Sequence, residues 1–382
     1  MGRGPRPLEG VVMLDASFWR NRCVLVTGHT GFKGSWLLVW LNQLGAQVWG
    51  YALEPEGNLN LFSELVQELS RGSGFTNQIG DLADAEALKE LVQRCQPEVV
   101  LHMAAQPLVR RSYQDPLGTW ATNVNGSLHV LEALKTLQHT CAVVMVTTDK
   151  VYENREWIYG YREQDRLGGH DPYSASKAAA EIAIASWRSS FCGSGAHQTL
   201  HLRIATARAG NVIGGGDWAA ERIVPDAIRS LTAGEPIPVR NRSSTRPWQH
   251  VLEPLGGYLR LAEALACDAE PPCEAFNFGP TQASNRPVQE LVETMLSHWH
   301  GSWLDQRDAS APHEAHLLHL QIDKAQHRLG WSPRWDYATT VKRTVDWYKQ
   351  HHQGRSAIDC CLADLQAYQA VFNSLPRTTS ES

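Results

Sequence analysis

The chain predicts an α/β fold, a doubly wound parallel sheet joined to a smaller C-terminal domain. Three observations carry this. Runs rich in β-branched residues, among them "CVLVT", "PEVVLHMAA" and "CAVVMVTT", alternate with segments whose apolar residues recur at helical spacing. That is the pattern of strands covered on both faces by crossover helices. The first run breaks on Gly28, Gly31 and Gly34, spaced three apart, before a helix begins. From about Leu202 the alternation loosens into stretches rich in Gly, Pro, Asn and Arg, such as "RIATARAGNVIGGGDWAAERIVPDAI" and "GEPIPVRNRSSTRPWQHV". Loops of this kind sit over a sheet edge and carry binding surfaces.

In chain order, "CVLVT" is the first strand, and "SWLLVWLNQLG" is a helix stopping at Gly45, a usual residue just past a helix end. "AQVWGYAL" is a strand, "EALKELVQRC" a helix and "PEVVLHMAA" a strand. "PLGTWATNVNGSLHVLEALKTL" reads as one long helix, "CAVVMVTT" as a buried strand and "DPYSASKAAAEIAIASW" as a helix. Further helices are expected in "VQELVETMLSHW" and "YATTVKRTVDWYKQHH". The expected organisation is a mobile leader over 1–17, a sheet domain over 18–205, and a second domain over 206–350 of which about 247–275 returns to the first. A C-terminal helix and mobile tail follow over 351–382.

With 382 residues and a net charge of −5, the chain has no basic footprint for nucleic acid or an anionic membrane. Its longest apolar runs are strand length, so no membrane span is expected. Near the start only "VVML" is apolar, too short for a signal-peptide core, and Arg6 stands where a myristoylation signal has Ser or Thr. The eight cysteines form no C-x-x-C pair and read as reduced thiols of a cytoplasmic protein. The sixteen histidines show no metal-ligand spacing, so no metal is expected.

Glycine tolerates positive φ and lets a backbone approach a neighbour or a ligand closely. A strand-to-helix turn can use glycine for packing alone. In a parallel sheet, though, the turn after the first strand is where dinucleotide phosphates meet a helix N-terminus, the Rossmann arrangement. Gly28, Thr30, Gly31, Phe32, Lys33 and Gly34 are therefore the candidate cofactor cradle. A carboxylate for the adenosine ribose would stand near Ala52, with Glu54 slightly beyond, which leaves NAD and NADP both open.

Tyr173 and Lys177 are four apart on one helix and share a face. An ammonium beside a phenol favours the phenolate, a usable base. Tyr-x-x-x-Lys alone also arises from packing, but here it joins the glycine turn and a Thr at a strand end.

At this point the chain resembles the extended short-chain dehydrogenase/reductase family, through Gly28/Gly31/Gly34, "HMAAQ", Thr148 and Tyr173/Lys177. The resemblance implies that Thr148 and Tyr173 hold a substrate 4-hydroxyl and that Lys177 holds the nicotinamide ribose. It implies too that Asp81 with Leu82 meets the adenine, and that Ala104, Ala105 and Gln106 line the cofactor. Simple epimerases of the family carry a small residue after the Thr. Here Asp149 follows, an acid placed to protonate a leaving hydroxyl, which favours dehydration.

The closer resemblance is to the family's NAD-dependent sugar-nucleotide dehydratases that act on CDP-glucose. It runs from about Phe18 to Tyr348, through "GHTGFKGSWL", "AAQPLVRRSY", "TTDKVYEN", "YSASKAAAE", "RAGNVIGGGDWA" and "RPWQHVLEPL". It implies C4 oxidation with enzyme-bound NAD, loss of water across C5 and C6, and hydride return to C6, in a cytoplasmic pathway to deoxysugars of surface polysaccharides such as O-antigen. Gln106, Asn211, Arg222, Arg246 and His250 are the substrate-binding candidates, the arginines suiting a diphosphate and His250 reading equally as a packed, hydrogen-bonded histidine. Lys150 replaces the Glu of the dTDP-glucose enzymes. It serves as the C5 base only if its ammonium deprotonates well below about 10.4; otherwise it stays charged and stabilises the enolate. A homodimer is implied, paired through helices near 117–137 and 174–191. The alternatives are another sugar-nucleotide dehydratase, a 4-epimerase, and a non-catalytic NAD-binding protein.

Overall fold

The computed structural model describes residues 14–57, 59–72, 74–193, 201–306 and 317–373. Its main sheet contains β1 (Cys23–Thr27), β2 (Gln47–Ala52), β3 (Phe75–Ile79), β4 (Val99–His102), β5 (Cys141–Val146), β6 (Leu202–Ala209) and β7 (Ala275–Phe278). The spatial order is β7-β6-β5-β4-β1-β2-β3, with every pairing parallel. The order reverses between β1 and β4, and a crevice opens there at the strands' C-terminal ends.

Successive side chains of a strand point to opposite faces. On β5, Cys141, Val143 and Met145 join Leu88, Leu131 and Ile184 in one core, while Ala142, Val144 and Val146 join Trp36, Leu255 and Leu259 in the other. The helices supplying these layers are α1 (Ala16–Trp19), α2 (Phe32–Gln43), α3 (Leu61–Arg71), α4 (Ala85–Cys95), α5 (Val109–Gln114), α6 (Pro116–Trp120), α7 (Gly126–Leu134) and α8 (Pro172–Phe191). They continue with α9 (Ile223–Ala233), α10 (Leu252–Cys267), α11 (Val288–His298), α12 (Asp323–Leu329), α13 (Tyr337–His352) and α14 (Ala357–Asn373).

The C-terminal half adds three two-stranded pairs: Ile237–Val239 with Trp303–Asp305, Thr245–Pro247 with Asn285–Pro287, and Val212–Ile213 with Gln249–His250. Helix α10 returns to pack on β5 and β6, and α14 packs on α2 and α3. The Tyr368 hydroxyl of α14 donates to buried Glu253 Oε2 at 2.7 Å. Trp347 of α13 lies so close under the 210–217 loop that a Cβ on Gly215 would fall 1.9 Å from its ring.

Two expectations change. The long helix after Pro116 is interrupted by a π-turn over Ala121–Asn125. The stretch expected as a leader, 1–17, ends inside α1, which is capped by Asp15, whose backbone N–H donates to Glu263 Oε1 at 2.8 Å. Residues 1–13 and the tail 374–382 lie outside the described residues. All eight cysteines are free thiols. Among the described residues no helix is long and apolar enough to cross a membrane, and no cluster of metal ligands occurs.

Candidate active site

The glycine turn opens at the crevice, and its glycines answer different needs. Gly28 has φ +74°, and a Cβ there would fall 2.6 Å from the Ala104 nitrogen. A Cβ on Gly34 would fall 2.2 Å from the Gly28 oxygen. Both serve the chain's own close approach, of β1 to β4 and of α2 to the turn. Gly31 has φ −78° and meets only the Gly28 oxygen, at 3.4 Å, so the polypeptide leaves the space above it clear. Helices α3 and α4 begin with Asn60 and Asp84 caps and carry Glu64 and Glu86 in their first turns, whereas α2 has neither a side-chain cap nor an acid. Cleared space over an uncapped helix N-terminus fits a dinucleotide pyrophosphate.

Gly31→Ala is therefore expected to leave the melting temperature nearly unchanged but weaken dinucleotide binding severalfold. Gly34→Ala overpacks backbone on backbone, costs about 1–3 kcal/mol and lowers the melting temperature. Thermal melts with a dinucleotide titration check both.

Around the cradle, Thr30 Oγ1 donates to the Leu53 carbonyl at 2.9 Å, fastening the turn to the end of β2. Phe32 packs, half-buried, against the main core. Leu82 is buried, and exposed Asp81 uses Oδ1 to accept the Ala83 N–H at 2.9 Å. Ala104 and Ala105 lie half-buried just past β4. Lys33 departs from its expected place: its ammonium stands 3.5 Å from the hydroxyl of buried Tyr258 on α10. Burial first, then Arg222, pulls that lysine down to about 8, against the opposing charge of Asp149.

The catalytic candidates converge from the end of β5 and the start of α8. Asp171 caps α8, accepting the Ser174 N–H at 2.9 Å, and Pro172 opens the first turn. This fixes where Tyr173 and Lys177 enter the crevice. Both are buried, and Lys177 Nζ donates to the Val146 carbonyl at 3.4 Å. Burial pulls Lys177 down to about 8 and pushes the Tyr173 phenol up to about 12, the Thr148 hydroxyl and Arg222 acting to lower the phenol. Thr148 Oγ1 donates to Asp149 Oδ1 at 3.0 Å. Asp149 is buried, which raises its pKa against the opposing pull of Lys150, Thr148, Arg246 and Lys33. Half-buried Lys150 holds its ammonium 6.0 Å from the Tyr173 ring centroid. A phenol, a hydroxyl and a carboxyl thus lie buried together where β5 ends and α8 begins.

Of the substrate candidates, the structure brings Arg222 and Arg246 into electrostatic reach of this group. Arg222 Nη1 pairs with Asp217 Oδ2 at 2.9 Å at the start of α9. Asn211 is half-buried in the loop after β6. Two of the candidates turn into the fold. His250 is fully buried, edge-on to Trp36 and Trp335, with Nδ1 accepting the Leu252 N–H at 3.3 Å. Burial pulls it down to about 3, so it braces the fold as a neutral ring and does not face a ligand. Gln106 spends its side-chain amide on the Leu108 carbonyl and N–H and on Thr119 Oγ1, which holds the loop after β4.

Sequence reasoning missed two features. Glu181 lies one turn beyond Lys177 and forms a buried ion pair with Arg208 of β6 at 2.8 Å, accepting also from Thr147 and Thr206. It ties α8 to the ends of β5 and β6, and the signal was present as the i+4 stripe Tyr173, Lys177, Glu181. Tyr258 carried no local signal, because its partner Lys33 lies 225 residues away.

Residues 24–279 match the family model described as the NAD dependent epimerase/dehydratase family. The chain is 44% identical over 361 residues to the CDP-glucose 4,6-dehydratase of Salmonella typhimurium, covering 94% of this chain and 99% of that one. It is 30% identical to the dTDP-glucose 4,6-dehydratase of Streptomyces antibioticus, covering 86% of this chain and 92% of that one. Among solved structures, the dTDP-glucose 4,6-dehydratase of Streptomyces venezuelae with NAD and TYD bound superposes with a TM-score of 0.72 at 23% identity, over 88% of this chain and 99% of that one. The UDP-glucuronic acid 4-epimerase of Bacillus cereus does so with a TM-score of 0.72 at 22% identity, over 86% and 99%. With the family model matched over two thirds of the chain and a relative 44% identical along nearly all of it, the chain belongs to the NAD dependent epimerase/dehydratase family.

Proposed function

We propose that the protein is a hydro-lyase that converts CDP-D-glucose to CDP-4-keto-6-deoxy-D-glucose with bound NAD. The observation that carries this reading is buried Asp149 joined to Thr148 beside Tyr173. An epimerase needs a base at C4 and no acid for a leaving hydroxyl. Bound NAD supplies the acceptor for the C4 hydrogen and its donor at C6. The Gly28–Gly34 turn would hold its pyrophosphate and Lys177 its nicotinamide ribose. Tyr173 Oη takes the proton of the C4 hydroxyl, which Thr148 orients. The C4 ketone acidifies C5, and Asp149 protonates the oxygen leaving C6. Arg222 and Arg246 suit the substrate diphosphate.

The C5 base is a lysine on this reading. Lys150 adjoins the acid in sequence, and Lys33, pulled down to about 8 by burial, is the second claimant. In deuterated solvent, the Met variant of the true base incorporates little deuterium at C5, while the other exchanges at the wild-type rate.

The exposed apolar side chains Tyr113, Leu117, Trp120 and Ile182 lie on α5, α6 and α8, with Leu117 82% exposed. They support a homodimer through these helices, which a sedimentation mass of one chain would refute. Free thiols and a soluble sugar-nucleotide substrate suit the cytoplasm, and the product is a precursor of surface-polysaccharide deoxysugars. A panel of CDP-, dTDP-, UDP- and GDP-glucose tests the reading. A 4-keto-6-deoxy product is expected, with CDP-glucose preferred at least tenfold (about 1.4 kcal/mol). Preference for another nucleotide, or unchanged sugar, would overturn it.

A further inference from the structure

His102 is the one polar residue of β4, and its ring is buried where the sheet order reverses. It reaches Thr27 of β1 on one side and Ser127 of α7 on the other. Thr27 Oγ1 and His102 Nδ1 are 2.7 Å apart, and His102 Nε2 and Ser127 Oγ 3.1 Å. The two hydroxyls fix which ring nitrogen carries the hydrogen. Ser127 donates its own hydrogen to the Asn123 carbonyl at 2.8 Å, so its oxygen is left to accept from Nε2–H. Nδ1 is then an acceptor, and it takes the hydrogen of Thr27, whose Oγ1 accepts the Ala104 N–H at 3.3 Å. Burial, then the charge of Lys177, pulls the ring down to about 3, so it is a neutral imidazole.

The bonds continue from Asn123, in the π-turn that interrupts the helix after Pro116. Its Nδ2 donates to Ser176 Oγ at 2.9 Å and to the Gln106 carbonyl at 3.2 Å, and its Oδ1 accepts the Gln106 N–H at 2.9 Å. Ser176 in turn donates to the Tyr173 carbonyl at 2.7 Å. Thr27, His102, Ser127, Asn123 and Ser176 are thus joined residue to residue, and none is more than 4% exposed. One end is the residue before Gly28 of the cofactor cradle, and the other is the backbone of Tyr173. Every side-chain donor along the way has an acceptor. A buried network satisfied in this way holds its members in one arrangement.

We propose that His102 is a positioning residue of the reaction: in its Nε2–H form it fixes the start of the cofactor cradle on β1 against the start of α8, and so sets where the Tyr173 phenol meets the sugar. It touches neither ligand. The proposal rests on the reading of Tyr173 as the base at C4. There the C4 hydrogen leaves with its electron pair toward the cofactor, and the hydroxyl proton leaves toward Tyr173. The two acceptors belong to opposite ends of this network and have to keep a fixed spacing. A misplacement of about 1 Å between such groups costs about a hundredfold in rate.

The first test is the tautomer, read by nitrogen NMR of the wild-type protein with isotope-labelled histidine. The His102 signals, assigned by their loss in His102→Gln, are expected to show a protonated Nε2 and a bare Nδ1 from about pH 6 to about pH 8. A protonated Nδ1, or a charged ring at about pH 6, would overturn the proposal. The second test removes the ring's partners one at a time, by Thr27→Val and Ser127→Ala. Each is expected to lower kcat with CDP-glucose about tenfold, while KM and NAD affinity change less than about threefold. Thr27→Ser keeps the hydroxyl and is expected to stay within about threefold of wild type. Because both losses act through one ring, the double variant is expected to fall about tenfold as well, where independent effects multiply to about a hundredfold. Multiplied effects, or a lowered melting temperature with kcat unchanged, would overturn this role alone and leave His102 as packing. Absence of product from wild type would instead overturn the dehydratase reading, and this role with it, whatever the tautomer.

Discussion

Tyr173→Phe is expected to lower kcat by about a thousandfold or more, about 4 kcal/mol of barrier, while NAD and CDP-glucose binding change little. The phenyl ring keeps the packing at the start of α8, where the Asp171 cap rather than the hydroxyl fixes the backbone. Only the proton acceptor at C4 is lost. Thr148 keeps its bond to Asp149 Oδ1 and cannot replace the base, because an unactivated hydroxyl is far too weak. Steady-state kinetics with equilibrium titration of both ligands separate the effects. Turnover near the wild-type rate would remove Tyr173 from the chemistry, and weakened binding with little change in kcat would make it a packing residue.

Asp149→Asn is expected to reduce product formation by about a hundredfold to a thousandfold. The amide has the carboxyl's size and its oxygen still accepts from Thr148, but it has no acidic proton to give. Size matters here, since a Cβ on Gly210 would come within 2.7 Å of Asp149 Oδ2, leaving little room for a longer acid. Oxidation at C4 does not use this group. In deuterated solvent the variant should thus build up a C4 ketone that keeps its C6 hydroxyl and exchanges at C5, detected by mass spectrometry after quenching. Normal elimination would assign the acid elsewhere.

What the sequence made legible was what lies within a few residues along the chain. The glycine turn, the Thr148–Asp149 pair and the Tyr173–Lys177 stripe are local, so strand ends and helix periodicity sufficed to place them. Helix α3 was equally local, with an Asn60 cap and an amphipathic "LFSELVQELSR", and was passed over. The packed environment of His250 was not legible, because its surroundings come from afar. Trp335, just before α13, and Asp364 of α14 close over it, and the Asp364 carboxyl stops 3.9 Å from Nε2. A polar residue in a loop motif looks like a ligand until that cover is known. The engagement of Gln106 was hidden for a nearer reason, since a loop with few regular hydrogen bonds took its amide for itself. The buried Glu181–Arg208 pair joins a helix to a strand, and neither residue announces the other. Removing either would strand a buried charge, about 3–5 kcal/mol.

The most direct test of the account uses CDP-glucose carrying deuterium at C4 in ordinary water. If one site oxidises C4, eliminates water and returns the same hydrogen, the product is CDP-4-keto-6-deoxyglucose with the deuterium in its C6 methyl group and a solvent hydrogen at C5. NMR of the isolated product reads both positions. Deuterium retained at C4 of a sugar inverted there would identify an epimerase, and a C6 methyl free of deuterium would contradict the account.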